Sequence, residues 1–424
     1  MKILITSDVQ STLALHGLKN AEDLIKLTES DTKICLLSAP LSPEEIEKLP
    51  ETEFRMLSLG DLIRQNAIAS PPEFKDIVSR PETPVDQSVL ESFYRNRVIL
   101  VTGGEGYIGS EIVAHLLSLP IKQVIAFGHG ENSINELIKK HGHHRNFKAV
   151  LGDVRDEEKL RRVFLEHKPN TIFHAAAHKH VPILEMYPEE AVKTNILGTK
   201  KLVSLAAEWK VERFVLVSTD KAVNPVSALG ASKRIAEKIC LSMDALIPDC
   251  RFATVRFGNV FGSTGSVVPT FLEQIAHNRP LTITDKNMVR YFMSIHEAVR
   301  LVLLAGTMDY GNLFSFDMGV PIALGELLEK LCAYYGVEPS QSCVNVIGNR
   351  GGEKFSEELI HSFEKILASP HEKLLILEDS GSIWSEKEIN LLYAEFVDAA
   401  SFGSKEEIFA LFNKYISHYA GMNI

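Results

Sequence analysis

Val98-Ile99-Leu100-Val101-Thr102-Gly103-Gly104-Glu105-Gly106-Tyr107-Ile108-Gly109-Ser110 is the stretch that decides the fold. An apolar, β-branched run stops at a glycine-rich turn, and a helical pattern from Glu111 to Leu119 follows it. Between a strand and a helix each glycine has a task. Gly103 permits the tight turn, Gly106 lets the backbone approach a pyrophosphate, and Gly109 allows the helix to pack closely on the sheet. The helix N-terminus then faces the phosphates. Glycines alone serve any turn; this context makes the turn a dinucleotide-binding one.

Working outward, the pattern predicts strands at Gln123–Phe127, Phe147–Leu151, Thr171–His174 and Arg213–Val217, with helices at Glu157–Glu166 and Glu189–Trp209. Strands and helices alternating at this spacing predict an α/β fold with a doubly wound parallel sheet. After Arg256 the pattern loosens, as expected of a substrate-binding portion. Residues 1–70 read as a small α/β domain with strands at Lys2–Thr6, Lys33–Leu37 and Phe54–Leu57, and it carries no glycine fingerprint. A linker rich in Pro and charge covers 71–92. The main domain runs over 93–424, with 93–255 mainly dinucleotide-binding and 256–424 mainly substrate-binding.

The 424 residues are 45% hydrophobic, enough for a large core, and carry a formal charge of −10. That charge argues against nucleic acid or an anionic membrane as the main partner, so an anionic substrate needs a local Arg or Lys. The five cysteines form no close metal-type pair, and Cys240 and Cys250 read as buried free thiols. Asp8 interrupts any signal-peptide core, and no apolar run reaches membrane-spanning length, so a soluble, cytoplasmic protein is expected. His141, His143 and His144 read as a solvated loop, and no metal is expected.

The chemistry concentrates after the strand Arg213–Val217, in Ser218-Thr219-Asp220-Lys221. Open α/β sheets bind ligands at the carboxyl ends of their strands, so an acid and an amine placed there are candidates for proton transfer rather than a surface ion pair. A helical pattern opening at Pro225–Ser227 sets Leu229 and Lys233 one turn apart on one face. Asp153, after the third strand, is a candidate adenine contact. The second strand ends in Phe127-Gly128-His129-Gly130-Glu131-Asn132 with no carboxylate immediately at its end, which leaves NAD and NADP both open.

Further motifs are spaced along the chain: His174-Ala175-Ala176-Ala177-His178-Lys179-His180-Val181-Pro182, Asn195-Ile196-Leu197-Gly198-Thr199 and Arg256-Phe257-Gly258-Asn259-Val260. Gly265-Ser266-Val267-Val268-Pro269, Arg290-Tyr291-Phe292-Met293 and Gly352-Glu353-Lys354 follow. With Ser218–Pro225, they resemble the UDP-N-acetylglucosamine 4,6-dehydratases of the polysaccharide-biosynthesis family, which are extended short-chain dehydrogenases, over about residues 70 to 424. Leu229 stands where the wider superfamily has a Tyr.

The resemblance implies a nucleotide-sugar 4,6-dehydratase acting on a UDP-sugar, with NAD or NADP tightly bound and regenerated in each turnover. Asp220 resembles the acid that protonates the departing C6 hydroxyl, and Lys221 the base that takes the C5 proton. Lys233 resembles the lysine on the nicotinamide ribose, and Thr219 the hydrogen-bonding partner of the reacting sugar. The implied cofactor contacts are Thr102, Gly103, Gly106, Tyr107, Ile108, Gly109, Asp153, Val154, Ala175, Ala176, Asn195 and Lys233. The implied substrate contacts are Lys179 and His180 beside the sugar, Asn259 near the sugar phosphate and Val267 near the uracil. Arg290 is matched to the diphosphate, and Glu353 to the uridine ribose. A homo-oligomer, at least a dimer, is also implied. An epimerase of the same fold, or a non-catalytic dinucleotide-binding protein, are the competing readings; persistence of Asp220, Lys221 and Lys233 argues against the latter.

Overall fold

The computed structural model describes residues 72–78, 80–276, 279–334, 344–348 and 351–416, residues 419 and 421, and the backbone of three short strands nearer the N-terminus. Those strands, Leu4–Ile5, Lys33–Leu37 and Phe54–Ser58, pair in parallel in sequence order. The rest of the expected 1–70 domain lies outside the described residues.

The chain divides into two compact units. The larger comprises Glu82–Val260, Arg290–Pro321 and Arg350–Ile424, and the smaller Met1–Pro81, Phe261–Val289 and Ile322–Asn349. The stretch read as a substrate-binding portion therefore contributes to both. Within the smaller unit the helix Phe74–Val78 packs on the helix Leu324–Tyr334, and Leu281–Ile283 pairs in parallel with Val344–Val346.

The larger unit is built on a nine-stranded sheet: β1 (Val98–Thr102), β2 (Gln123–Gly128), β3 (Phe147–Leu151), β4 (Thr171–His174), β5 (Arg213–Val217), β6 (Arg251–Arg256), β7 (Leu313–Phe316), β8 (Glu364–Leu367) and β9 (Leu374–Asp379). Its order is β3-β2-β1-β4-β5-β6-β7-β9-β8. Pairing is parallel from β3 through β7, and β9 and β8 close the far edge antiparallel. The order 3-2-1-4-5-6 is the doubly wound arrangement, with its switch point between β1 and β4.

Burial explains why these segments are strands. Every residue of β1 and of β4 is buried, as continuous apolar runs in a parallel sheet covered on both faces must be. Successive side chains go to opposite faces. Leu100, Ile125, Ile172 and Phe214 join one apolar cluster with the helix α2 (Ala228–Leu246). Val101, Val124, Phe173 and Val215 join another with α1 (Tyr107–Leu117) and α3 (Ile295–Thr307).

Helix starts follow local signals. Asp156 accepts a hydrogen bond from the Lys159 amide at the start of Glu157–His167, and Ser227 accepts one from Gly230 at the start of α2. The helix expected over Glu189–Trp209 is not uniform. It begins as Pro188–Ala191, widens into a π-helical segment over Val192–Gly198, and resumes as Thr199–Glu208. Asn195, inside the widened turn, bonds the backbone of His178 and the Ser232 hydroxyl, and these tertiary bonds accompany the distortion.

Cys240, Cys250 and Cys332 are buried free thiols. His141 departs from the solvated-loop reading: it ends the helix Glu131–His141 and is buried, 5.9 Å from the Phe147 ring. Among the described residues, no helix is long and apolar enough to cross a membrane.

Candidate active site

The glycine turn lies on the loop that follows β4. Gly103 has φ +65°, and a Cβ there would come within 2.6 Å of the Ala176 amide nitrogen. A Cβ on Gly109 would overlap the Gly103 carbonyl oxygen. Only glycine satisfies either position. Gly106 is the N-cap of α1 and supplies no side-chain cap, so the first turn is open to an anion. A cleft of about 150 Å³ opens here, and Gly103, Gly106, Asp153, Val154, Ala175 and Ala176 all line it. These residues fit the pyrophosphate of a dinucleotide, since the two crowded glycines hold the turn tight and the N-terminus of α1 beside the cleft carries no side-chain cap.

The other expected cofactor residues support this cleft. The Thr102 hydroxyl bonds His174 Nδ1 at 2.7 Å, and His174 Nε2 meets the Thr199 hydroxyl at 2.9 Å. Burial, with the charge of Lys233 adding to it, pushes His174 down to about 3, so it is a neutral strut between strand and helix. Tyr107 and Ile108 open α1 and are half-buried. Asp153 is engaged by Arg155, at 2.6 Å from Nη2. The cleft is also lined by Glu105, His129, Arg155 and Thr194, which sequence reasoning did not select. For Glu105 a signal was visible: a carboxylate inside a turn otherwise made of glycines.

The second cluster stands at the carboxyl end of β5. Thr219 caps the short turn Asp220–Ala222, and its hydroxyl bonds Asp220 Oδ1 at 2.9 Å. Lys221 Nζ donates to the same Oδ1 at 3.0 Å. Asp220 is 1% exposed and its Oδ2 has no hydrogen-bond partner, so the expected pair is real but buried. Gly258 makes room for it, because a Cβ there would lie 2.9 Å from Oδ2. Lys233, from the second turn of α2, reaches the Val217 carbonyl at 2.7 Å. Burial lowers Lys233 to about 8, against the opposing charge of Glu237.

The structure adds a residue to this cluster. Glu357, 2% exposed, places Oε1 3.3 Å from Lys221 Nζ and 4.0 Å from Arg290 Nε. Burial would lower Lys221, but Asp220 and then Glu357 outweigh it and hold the ammonium above the usual lysine range. No local signal marks Glu357; it stands four residues beyond Glu353, in a loop.

The remaining substrate candidates are distributed. Arg290 is buried and donates to the Phe355 carbonyl, and Asn259 pairs with Phe292 on the adjacent short strand. Lys179 and His180 are exposed beyond β4, and Glu353 is half-buried. Val267 opens the helix Val267–Ala276 in the smaller unit. Leu229 is 4% exposed and packed into the apolar cluster around α2.

Beneath the cluster, Arg256 is wholly buried between Glu237 (2.7 Å) and Glu364 (2.8 Å). Glu237 also accepts from the Ser218 hydroxyl at 2.6 Å, which ties this ion network to the segment carrying Asp220.

The sheet order, the glycine turn and the Asp-Lys strand end define an extended short-chain dehydrogenase/reductase fold. The same fold occurs in dTDP-glucose 4,6-dehydratase from Streptomyces venezuelae, solved with NAD, at 24% identity and a TM-score of 0.57 over 62% of this chain and 88% of that one. The chain belongs to the family described as polysaccharide biosynthesis protein, whose profile matches residues 99–379. It is 39% identical to the capsular polysaccharide biosynthesis protein CapD of Staphylococcus aureus, over 87% of this chain and 61% of that protein. The chain thus spans about three-fifths of that relative's length. Pen from Bacillus thuringiensis is 30% identical with a TM-score of 0.64, over 72% of this chain and 99% of that one.

Proposed function

We propose that this protein is a nucleotide-sugar 4,6-dehydratase that converts UDP-N-acetylglucosamine to a UDP-4-keto-6-deoxy sugar for surface polysaccharide synthesis. The observation that carries this reading is the buried Asp220–Lys221 pair at the carboxyl end of β5, with Lys233 on the next helix and Leu229 in the place of the superfamily's Tyr. Gly103, Gly106, Asp153, Val154, Ala175, Ala176 and Lys233 would hold a nicotinamide dinucleotide. With that group bound, C4 would give up a hydride, and its hydroxyl proton would pass to Thr219, to a water held by Lys233 or to Asp220. The hydride would return to C6 as Lys221 gives a proton back to C5.

The rest is work for the protein. A ketone at C4 acidifies the C5 proton, which Lys221 removes as a neutral amine. Asp220, as a carboxylic acid, gives its proton to the C6 hydroxyl, which leaves as water. Asp220 and Glu357 hold Lys221 as an ammonium. Transfer of one proton along the 3.0 Å bond to Asp220 yields the amine and the acid that the elimination requires. Thr219 anchors Asp220 and is placed to bond the reacting sugar. Arg290, a buried guanidinium, matches the diphosphate.

Incubation with UDP-N-acetylglucosamine, followed by proton NMR, tests the reading. A new methyl doublet is expected. A product that keeps its C6 hydroxyl with inverted stereochemistry, or no product at all, would replace it with the epimerase or the non-catalytic reading.

A further inference from the structure

The end of the second strand is where dinucleotide folds distinguish a ribose 2′-hydroxyl from a 2′-phosphate, through an acid or a base placed there. Gly128-His129-Gly130 carries no carboxylate, lysine or arginine. The carboxylate arrives instead from the glycine turn. Glu105 lines the same cleft as Gly128 and His129, and its side chain is only 9% exposed. Its Oε1 accepts from the amides of His129 (2.9 Å) and Gly130 (3.3 Å). Its Oε2 is buried without a partner. Gly128 is what admits it, since a Cβ there would overlap the carboxylate.

Two consecutive amides at a strand end make a seat for an anion. Here the protein's own anion occupies it. Among the described residues that line the cleft, no cation is left to compensate a second one: Arg155 is engaged by Asp153 (2.6 Å) and Glu190 (3.0 Å). His178 is pushed down, chiefly by burial and then by the charge of Arg155, and so stays neutral near pH 7. His129 lies 3.6 Å from Glu105 itself.

We infer that Glu105 selects the cofactor: its carboxylate fills the amide seat a 2′-phosphate would need and leaves an acceptor for a 2′-hydroxyl, so the chain takes NAD and rejects NADP. The inference rests on the dinucleotide part of the proposed function and goes beyond it, because the strand-end sequence by itself leaves the choice open.

Calorimetric titration of the full chain, stripped of nucleotide, with NAD and with NADP tests it without any sugar. The wild type is expected to bind NAD at least about tenfold more tightly, the size of one unfavourable charge contact in a partly desolvated cleft. Glu105→Gln keeps the shape and removes the charge, and should bring the two affinities within about threefold of each other. Glu105→Gly frees both amides and should strengthen NADP binding outright, which provides a second readout should the first variant fold poorly. If Glu105 merely fastened the turn, both affinities would fall together with their ratio unchanged, and that result overturns the inference. So does a wild type that prefers NADP or binds both equally. A chain that selects NAD yet forms no keto sugar refutes the dehydratase reading alone, whereas one that binds neither dinucleotide refutes both.

Discussion

Glu357 Oε1 stands 3.3 Å from Lys221 Nζ, on a side chain that is almost wholly buried. With Asp220 it holds Lys221 as an ammonium at neutral pH, because its folded pKa is raised. At high pH Lys221 loses its proton to solvent as well as to Asp220, so exchange of the substrate's C5 hydrogen should rise with pH through the alkaline range. Glu357→Gln removes one of the two carboxylates and lowers the Lys221 pKa. The rise should then shift to lower pH, by about one unit if the lost contact is worth about 1.4 kcal/mol. Profiles of C5 exchange against pH for the two proteins check this; superimposable profiles would separate Glu357 from Lys221 function.

Lys221 and Asp220 should fail in different ways. Lys221→Met leaves no amine, so C5 exchange should fall by about 10² to 10⁴-fold, the range of a general base. Asp220→Asn should allow some exchange and block loss of water, since an amide is far too weak an acid for the departing hydroxyl. Solvent-deuterium incorporation measured beside methyl formation distinguishes the two. Equal losses of both signals in both variants would mean that the pair does not divide the work.

Leu229 is packed among apolar neighbours one turn before Lys233. A tyrosine there adds volume and a hydroxyl to a filled site, at about 1–3 kcal/mol of stability. Leu229→Tyr should therefore melt earlier and turn over no faster. A gain of about tenfold, or about 1.4 kcal/mol of barrier, would show that the wild type lacks a proton acceptor.

Arg256 holds Glu237 and Glu364 together in the floor of the site. Arg256→Met would strand two buried carboxylates, and removing one partner of a buried ion pair typically costs about 3–5 kcal/mol. Urea unfolding should show a loss of that order. A loss below about 1 kcal/mol would mean that Arg234, 3.1 Å from Glu237, and relaxation around it compensate.

What the sequence made legible was local. The run Val98–Thr102 and the glycines after it specify strand, turn and helix within a dozen residues, and β3 and β4 fall where the alternation predicts them. Asp220, Lys221 and Lys233 were legible because all three belong to one strand end and the helix after it. Glu357 was not, because it meets Lys221 only through a loop that returns from far along the chain. The π-helical turn at Val192–Gly198 was hidden for the same reason: its Asn195 bonds His178 and Ser232 across the fold. His141 read as polar loop because its burial depends on Phe147, on the neighbouring strand.

The most direct test of the central claim follows one hydrogen. UDP-N-acetylglucosamine deuterated at C4 should give a product that carries the deuterium in its new methyl group, with a solvent hydrogen at C5, as NMR and mass spectrometry would read. In the proposed reaction the label would leave C4 when that carbon is oxidised and would return to the same sugar at C6 after Lys221 and Asp220 have removed water. Deuterium retained at C4, or recovered there after inversion with the C6 hydroxyl intact, would contradict the dehydratase account.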